Sequence, residues 1–167
     1  NLSYATVGVE FWNTSNSKII NNTISNNEFG IYWYSSNNNT IANNNISSNN
    51  EVGIYLDESS NNILANNTVS SNNYCGIYLD DSSNNTIANN NASNNYCGIV
   101  LYKSSNNTIA SNTVSNNYGG ICLDYSSNNI IANNTASSNN YGGIYLDDSS
   151  NNTIANNTFH LNGMAVS

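Results

Sequence analysis

The sequence predicts an all-β solenoid, a single chain wound into about seven stacked coils of 22–23 residues with three short strands in each. Three observations carry this. A glycine recurs at a fixed interval, apolar residues alternate at a period of two, and asparagine fills the same places of every unit. Gly8, Gly30, Gly53, Gly76, Gly98, Gly120 and Gly143 are separated by 22, 23, 23, 22, 22 and 23 residues. The third unit reads GIYLDESSNNILANNTVSSNNYC and the fourth GIYLDDSSNNTIANNNASNNYC. Their lengths differ where Ser70-Ser71 becomes the single Ser93, which puts the extra residue in a turn.

The first strand of each unit is Gly-Ile-x-Leu, with Ile54/Leu56, Ile77/Leu79, Ile99/Leu101, Ile121/Leu123 and Ile144/Leu146 on its inward face. The second carries Ile41, Leu64, Ile87, Ile109, Ile131 and Ile154, and the third Ile24, Ile46, Val69, Ala92, Val114, Ala136 and Phe159. Bursts this short exclude amphipathic helices, whose apolar stripe needs a longer 3.6-residue rhythm. Leucine-rich repeats share the length but require more Leu and a helical half. The remaining geometry is a triangular coil stacked into three parallel sheets, a parallel β-helix with coils about 4.8 Å apart.

Asparagine makes up about a quarter of the chain, and its columns have a structural task. One column is Asn22, Asn44, Asn67, Asn90, Asn112, Asn134 and Asn157; another is Asn39, Asn62, Asn85, Asn107, Asn129 and Asn152. A third, at the corner before each glycine, is read as Asn27, Asn50, Asn73, Asn95, Asn117 and Asn140. Identical amides stacked at the strand spacing donate and accept up and down the axis. Asn also tolerates the left-handed backbone of a sharp corner. The glycine column marks either a corner of positive φ or a close backbone approach.

The rule G-I-x-L-x-x-S-x-x-N-x-I-x-x-N-x-I-x-x-N resembles the right-handed parallel β-helix repeats of the NosD-like, carbohydrate-binding and sugar-hydrolase group. Its Asn-rich form is similar to repeats of archaeal cell-surface proteins. The resemblance covers about residues 8–162 and, with the general chirality preference, implies a right-handed coil. All of 1–167 is read as one such domain.

Composition narrows the function classes. The formal charge is −8, and only 7% of residues are charged against roughly 25% in ordinary globular proteins. Lys18 and Lys103 cannot neutralise a phosphate backbone, which excludes an electrostatic nucleic-acid binder. No stretch approaches the length of a membrane-spanning helix. The strict pattern of apolar residues argues against disorder.

Two features could carry chemistry. Asp57-Glu58, Asp80-Asp81, Asp124 and Asp147-Asp148 follow the first strand of successive coils and form an acidic edge. Stacked like charges raise pKa values or recruit a cation, so the edge is a solvated rim, a weak calcium-type site or a carboxylate pair for glycoside chemistry. Lys103 takes the acidic place in the fifth coil and is placed for an ion pair with Asp81. The second feature is an outward aromatic stripe of Tyr32, Tyr55, Tyr78 and Tyr145, thickened by Trp12, Trp33 and Tyr34. A further column holds Tyr74, Tyr96, Tyr118 and Tyr141. Stacked rings stabilise the ladder by themselves, and exposed ones are platforms for sugars or protein partners.

Catalytic constellations known from related folds are missing. The resemblance implies Gly-His-Gly and Arg-Ile-Lys motifs in polygalacturonase-like members and a basic residue in pectate-lyase-like ones; the chain lacks both motifs and has no Arg. His160 reads as an end residue, and with Met164 it falls short of a soft-metal ligand set. Cys75 and Cys97 occupy equivalent places in adjacent coils, within reach of a strained disulfide, while Cys122 takes a place in the Tyr column. Asn13, Asn21, Asn38, Asn66, Asn84, Asn106, Asn133, Asn151 and Asn156 head Asn-x-Ser/Thr triplets that could carry glycans where exposed.

The chain starts at Asn1, and neither end offers a capping segment, which is expected of a piece of a longer array or of a protomer that stacks end to end. The expectation is therefore a non-enzymatic, extracellular structural or adhesive surface module. The alternative is a carbohydrate-binding or polysaccharide-processing module using the Tyr stripe and acidic edge. Ice binding through Thr40, Thr86, Thr108 and Thr153 is weakened by Ile63 and Ile130, which interrupt that column.

Overall fold

Three seven-stranded, all-parallel sheets run the length of the computed structural model, one strand of each sheet per coil. The structure describes residues 2–163 and 166; the expectations placed on Asn1 and Met164 and on most of the 163–167 tail lie outside the described residues. The fourth coil shows the plan. Cys75–Asp80 belongs to the first sheet, Thr86–Ala88 to the second and Asn91–Ser93 to the third. Register is exact in repeat terms: Ile77 pairs with Ile54 and Ile99, Ile87 with Leu64 and Ile109, Ala92 with Val69 and Val114. The core is these stacked inward columns, almost all of them fully buried.

Each coil turns four corners, and all four use one device. A residue in the left-handed region is followed by an inward polar residue, buried in the inner coils and partly buried at most corners of the first and last. In the third coil the left-handed residues are Glu58, Asn61, Asn66 and Ser71, with φ of 48°, 58°, 57° and 57°. The buried followers are Ser59, Asn62, Asn67 and Asn72. A sharp corner leaves backbone N–H groups pointing along the axis without a strand partner, and the follower in the next coil accepts them. Asn62 N–H donates to Asn85 Oδ1 at 2.8 Å, Asn67 N–H to Asn90 Oδ1 at 2.9 Å, Asn72 N–H to Asn95 Oδ1 at 2.9 Å and Ser59 N–H to Ser82 Oγ at 2.8 Å. The serine row was not legible as a ladder from composition, although every unit but the first, which has Thr14-Ser15, carries a Ser-Ser pair.

Two expectations are corrected here. The ladder before the glycines is Asn27, Asn49, Asn72, Asn95, Asn117, Asn139 and Asn162. Asn50, Asn73 and Asn140 are exposed instead. The extra residue of the 23-residue coils therefore sits just after the ladder Asn, at Asn73 rather than at Ser70-Ser71, because Ser70 pairs with Ser93 without an offset. The corner keeps its turn geometry and absorbs the insertion outside the ladder.

No described glycine has positive φ; the glycine column answers to close approach. A Cβ on Gly76 would lie 2.7 Å from the Gly98 carbonyl oxygen and 3.0 Å from Asn95 Nδ2.

Candidate functional site

The strands of the first sheet, six residues long except for the four-residue Ile54–Asp57, are long enough to present a face. Tyr32, Tyr55 and Tyr78 are in register on its outside and half-buried. Their rings meet edge-on, with centroids 5.2 and 5.1 Å apart. The ladder breaks at Val100 and Cys122 and resumes at Tyr145, which pairs with Cys122. Trp33 does not join this face. It stands in the Leu56 column, fully buried, with its ring stacked on Phe11 at 5.1 Å. Strand alternation decides this: Ile31 points inward, so Trp33 must too. Trp12, 59% exposed, and Tyr34 do pack together on the outside, with ring centroids 4.5 Å apart and planes tilted by 38°.

Two of these tyrosine hydroxyls reach one coil on. Tyr32 donates to Asp57 at 3.1 Å and Tyr55 to Asp80 at 3.4 Å. Burial and the nearby Asp57 carboxylate push the Tyr32 phenol up to about 12, and burial moves Tyr55 and Tyr78 in the same direction. These hydroxyls are therefore proton donors at any ordinary pH.

Asp57 and Asp80 are register partners in adjacent strands. Desolvation raises both carboxyls, and neighbouring carboxylates add to it: Glu58 and Asp81 for Asp57, Asp81 and Asp57 for Asp80. Asp80 Oδ1 is buried without a hydrogen-bond partner. Asp124 and Asp147 continue the column beyond Tyr102. Glu58, Asp81, Asp147 and Asp148 are exposed, and among the described residues no three His, Cys, Asp or Glu side chains converge on a point that could hold a metal ion. Lys103 turns to its own coil instead of Asp81, with Nζ 4.9 Å from the Tyr102 ring centroid. His160 lies exposed on a third-sheet strand paired with Ser137, away from this face.

Tyr96 and Tyr118 of the second tyrosine column line an open groove of about 610 Å³ at the corner leading into the first sheet. Its walls include Asn73, Asn94, Tyr96, Asn116, Tyr118 and Asn140. Tyr74, Tyr96, Tyr118 and Tyr141 stack nearly parallel, with centroids 6.1, 5.0 and 5.7 Å apart. Because the rings cover each other's faces, the groove offers edges, hydroxyls and a repeating row of free amides. Sequence reasoning missed those amides, since the exposed and buried members of an Asn-Asn pair look alike in one dimension.

The second sheet's outer column runs Thr40, Ile63, Thr86, Thr108, Ile130, Thr153 in register, so the expected interruptions by isoleucine are real. All the triplet asparagines named above are exposed at corners.

Comparison with known proteins agrees with this architecture. A family model described as "Right handed beta helix region" matches residues 1–114 and 65–167. Among solved structures, the periplasmic alginate epimerase AlgG superposes with a TM-score of 0.76 at 22% identity, covering 97% of this chain and 49% of that one. The A-module of the Azotobacter vinelandii mannuronan C-5 epimerase AlgE4 gives 0.86 at 18% identity, over 100% and 55%. The Streptococcus pneumoniae surface protein and adhesin PfbA gives 0.50 at 13%, over 99% and 66%. The chain thus spans about half the length of these epimerase chains. No curated protein matches it in sequence. These likenesses are of fold. They nonetheless overturn the expectation of a non-enzymatic chain, because the absence of two catalytic motifs does not make this coil inert when epimerases are built on it. No helix is long and apolar enough to cross a membrane. With the family model covering the whole chain and the three parallel sheets matching it, the chain belongs to the right-handed β-helix family.

Proposed function

We propose that this chain is the polysaccharide-binding section of a polysaccharide-processing β-helix that works outside the cytoplasm. The sugar chain lies along the coil axis on the first sheet's outer face and the adjoining groove. The observation that carries this reading is the repetition of polar groups at the coil spacing: Tyr32, Tyr55 and Tyr78 beside Asp57 and Asp80, and exposed amides beside Tyr96 and Tyr118. A polymer of repeating hydroxyls matches a protein surface of repeating donors and acceptors. The fold's appearance in a periplasmic epimerase and a surface adhesin supports both the substrate class and the location.

Charge selects among polymers. With a formal charge of −8 and an acidic edge, the face repels a free polyanion, so neutral polysaccharides are the preferred class. Titration against neutral and uronate polymers, with calcium and with chelator, tests this. The expected result is binding of a neutral polymer that weakens at least tenfold in Tyr55→Ala and in Tyr118→Ala. Absence of binding to every polymer overturns the reading, and a reducing-sugar or epimer assay on the bound polymer reports processing.

Each coil offers the next the same Asn and Ser rungs, so a second copy can continue the rows; we propose such end-to-end association as a partner mode. Sedimentation velocity at rising concentration tests it, and a single monomeric species throughout counts against it.

A further inference from the structure

The outer face of the first sheet carries three cysteines that the proposed function does not use. All three are free thiols. Cys75 and Cys97 are register partners, and Cys97 pairs on its other side with Gly119. Gly119 has no side chain, and the space it leaves is occupied. The point where its Cβ would stand is 2.9 Å from Cys122 Sγ and 3.4 Å from Cys97 Sγ. Cys122 thus leans back across the empty position toward Cys97.

We propose that Cys97 and Cys122 form a disulfide staple between the fifth and sixth coils on exposure to a small-molecule disulfide, with Cys75 left as a free thiol. Both pairs bring sulfurs within reach, but side chains in register on parallel strands point the same way, which strains a bridge between Cys75 and Cys97. Cys122 is offset from Cys97 by three residues as well as one coil, and its sulfur turns back over the position that Gly119 leaves open. Cys122 approaches Cys97 diagonally, with a free path over Gly119. Access favours the same pair: Cys75 is buried, whereas Cys97 and Cys122 are each partly open. The neighbouring Cys122 and Cys75 thiols hold the Cys97 thiol below the usual thiol range, which favours it as the attacking thiolate.

The chemistry balances with glutathione disulfide as oxidant. The Cys97 thiolate attacks one sulfur, the glutathione S–S bond breaks, and one glutathione leaves as thiolate. Cys122 gives its proton to solvent and attacks Cys97 Sγ, and the second glutathione leaves. Two protein thiols lose two electrons, and one glutathione disulfide becomes two glutathione thiols.

The chain's two lysines make the test direct. Trypsin cleaves after Lys18 and Lys103, which places Cys75 and Cys97 in one peptide and Cys122 in another. The folded protein is oxidised with glutathione disulfide, alkylated, unfolded, digested without reductant and weighed by mass spectrometry. The expected product is residues 19–103 joined to 104–167 with one alkylated cysteine. The joined species persists in Cys75→Ser, disappears in Cys97→Ser and forms at least tenfold more slowly in Gly119→Ala, whose methyl separates the sulfurs. Separate peptides, whether oxidised within 19–103 or fully alkylated, overturn the proposal, as does a joined species in Cys97→Ser.

Discussion

Asn90 Oδ1 accepts two hydrogen bonds from Asn67, one from its backbone N–H at 2.9 Å and one from its side-chain Nδ2 at 3.0 Å. Asn90 Nδ2 in turn donates to the Leu64 carbonyl at 2.9 Å. Its neighbour Asn89 sits exposed in the left-handed region at φ 56°. Two identical residues side by side thus have separate tasks, and mutation should part them. Asn90→Ala strands the buried N–H of Asn67 and removes one of the donors to the Leu64 carbonyl, and is expected to cost about 2–4 kcal/mol. Asn89→Ala costs about 1–2 kcal/mol through backbone strain alone, whereas Asn89→Gly stays near neutral. Urea unfolding of the three variants measures the contrast.

Gly76→Ala is expected to destabilise by at least about 2 kcal/mol, because the added methyl meets the backbone of the next coil rather than a side chain that can rotate away. The same unfolding measurement checks it. A near-neutral result would show that the coils can separate locally.

Stability should rise on mild acidification. Asp57 and Asp80 have carboxyls raised in the folded coil, so between the ordinary carboxylate pKa and the raised one the folded state binds more protons than the unfolded chain. Stability is highest below that window and falls as pH rises through it. Thermal melts from pH 7 down to 4 should show an increasing Tm. Asp80→Asn should flatten the profile and raise Tm at neutral pH by a few degrees, since it removes a charge whose Oδ1 has no partner.

The two tryptophans should report opposite environments. Trp33 is fully buried with its indole Nε1 unpaired, and Trp12 is exposed. Fluorescence of Trp12→Phe, where only Trp33 emits, should be blue-shifted and resistant to aqueous quenchers. Trp33→Phe keeps a ring on Phe11 and removes the orphan donor, so its loss of stability should stay below about 1.5 kcal/mol.

What could be read from one dimension was whatever obeys a period. Ile77 and Leu79 flank Tyr78, and that alternation alone assigns two of them to the core and one to the surface. The 22–23-residue interval brings Ile54, Ile77 and Ile99 into one column without any knowledge of coordinates. Trp33 obeys the same parity, and its expected place on the surface was an error against the rule rather than a failure of it. Corners have no such parity. Which of Asn72 and Asn73 turns inward depends on the backbone hand at the preceding Ser71, and that is set by fitting a closed coil onto its neighbours. The groove amides and the meeting of Cys97 with Cys122 arise the same way. They depend on the side chain absent at Gly119 and on residues from different coils sharing one space, which chain order does not encode.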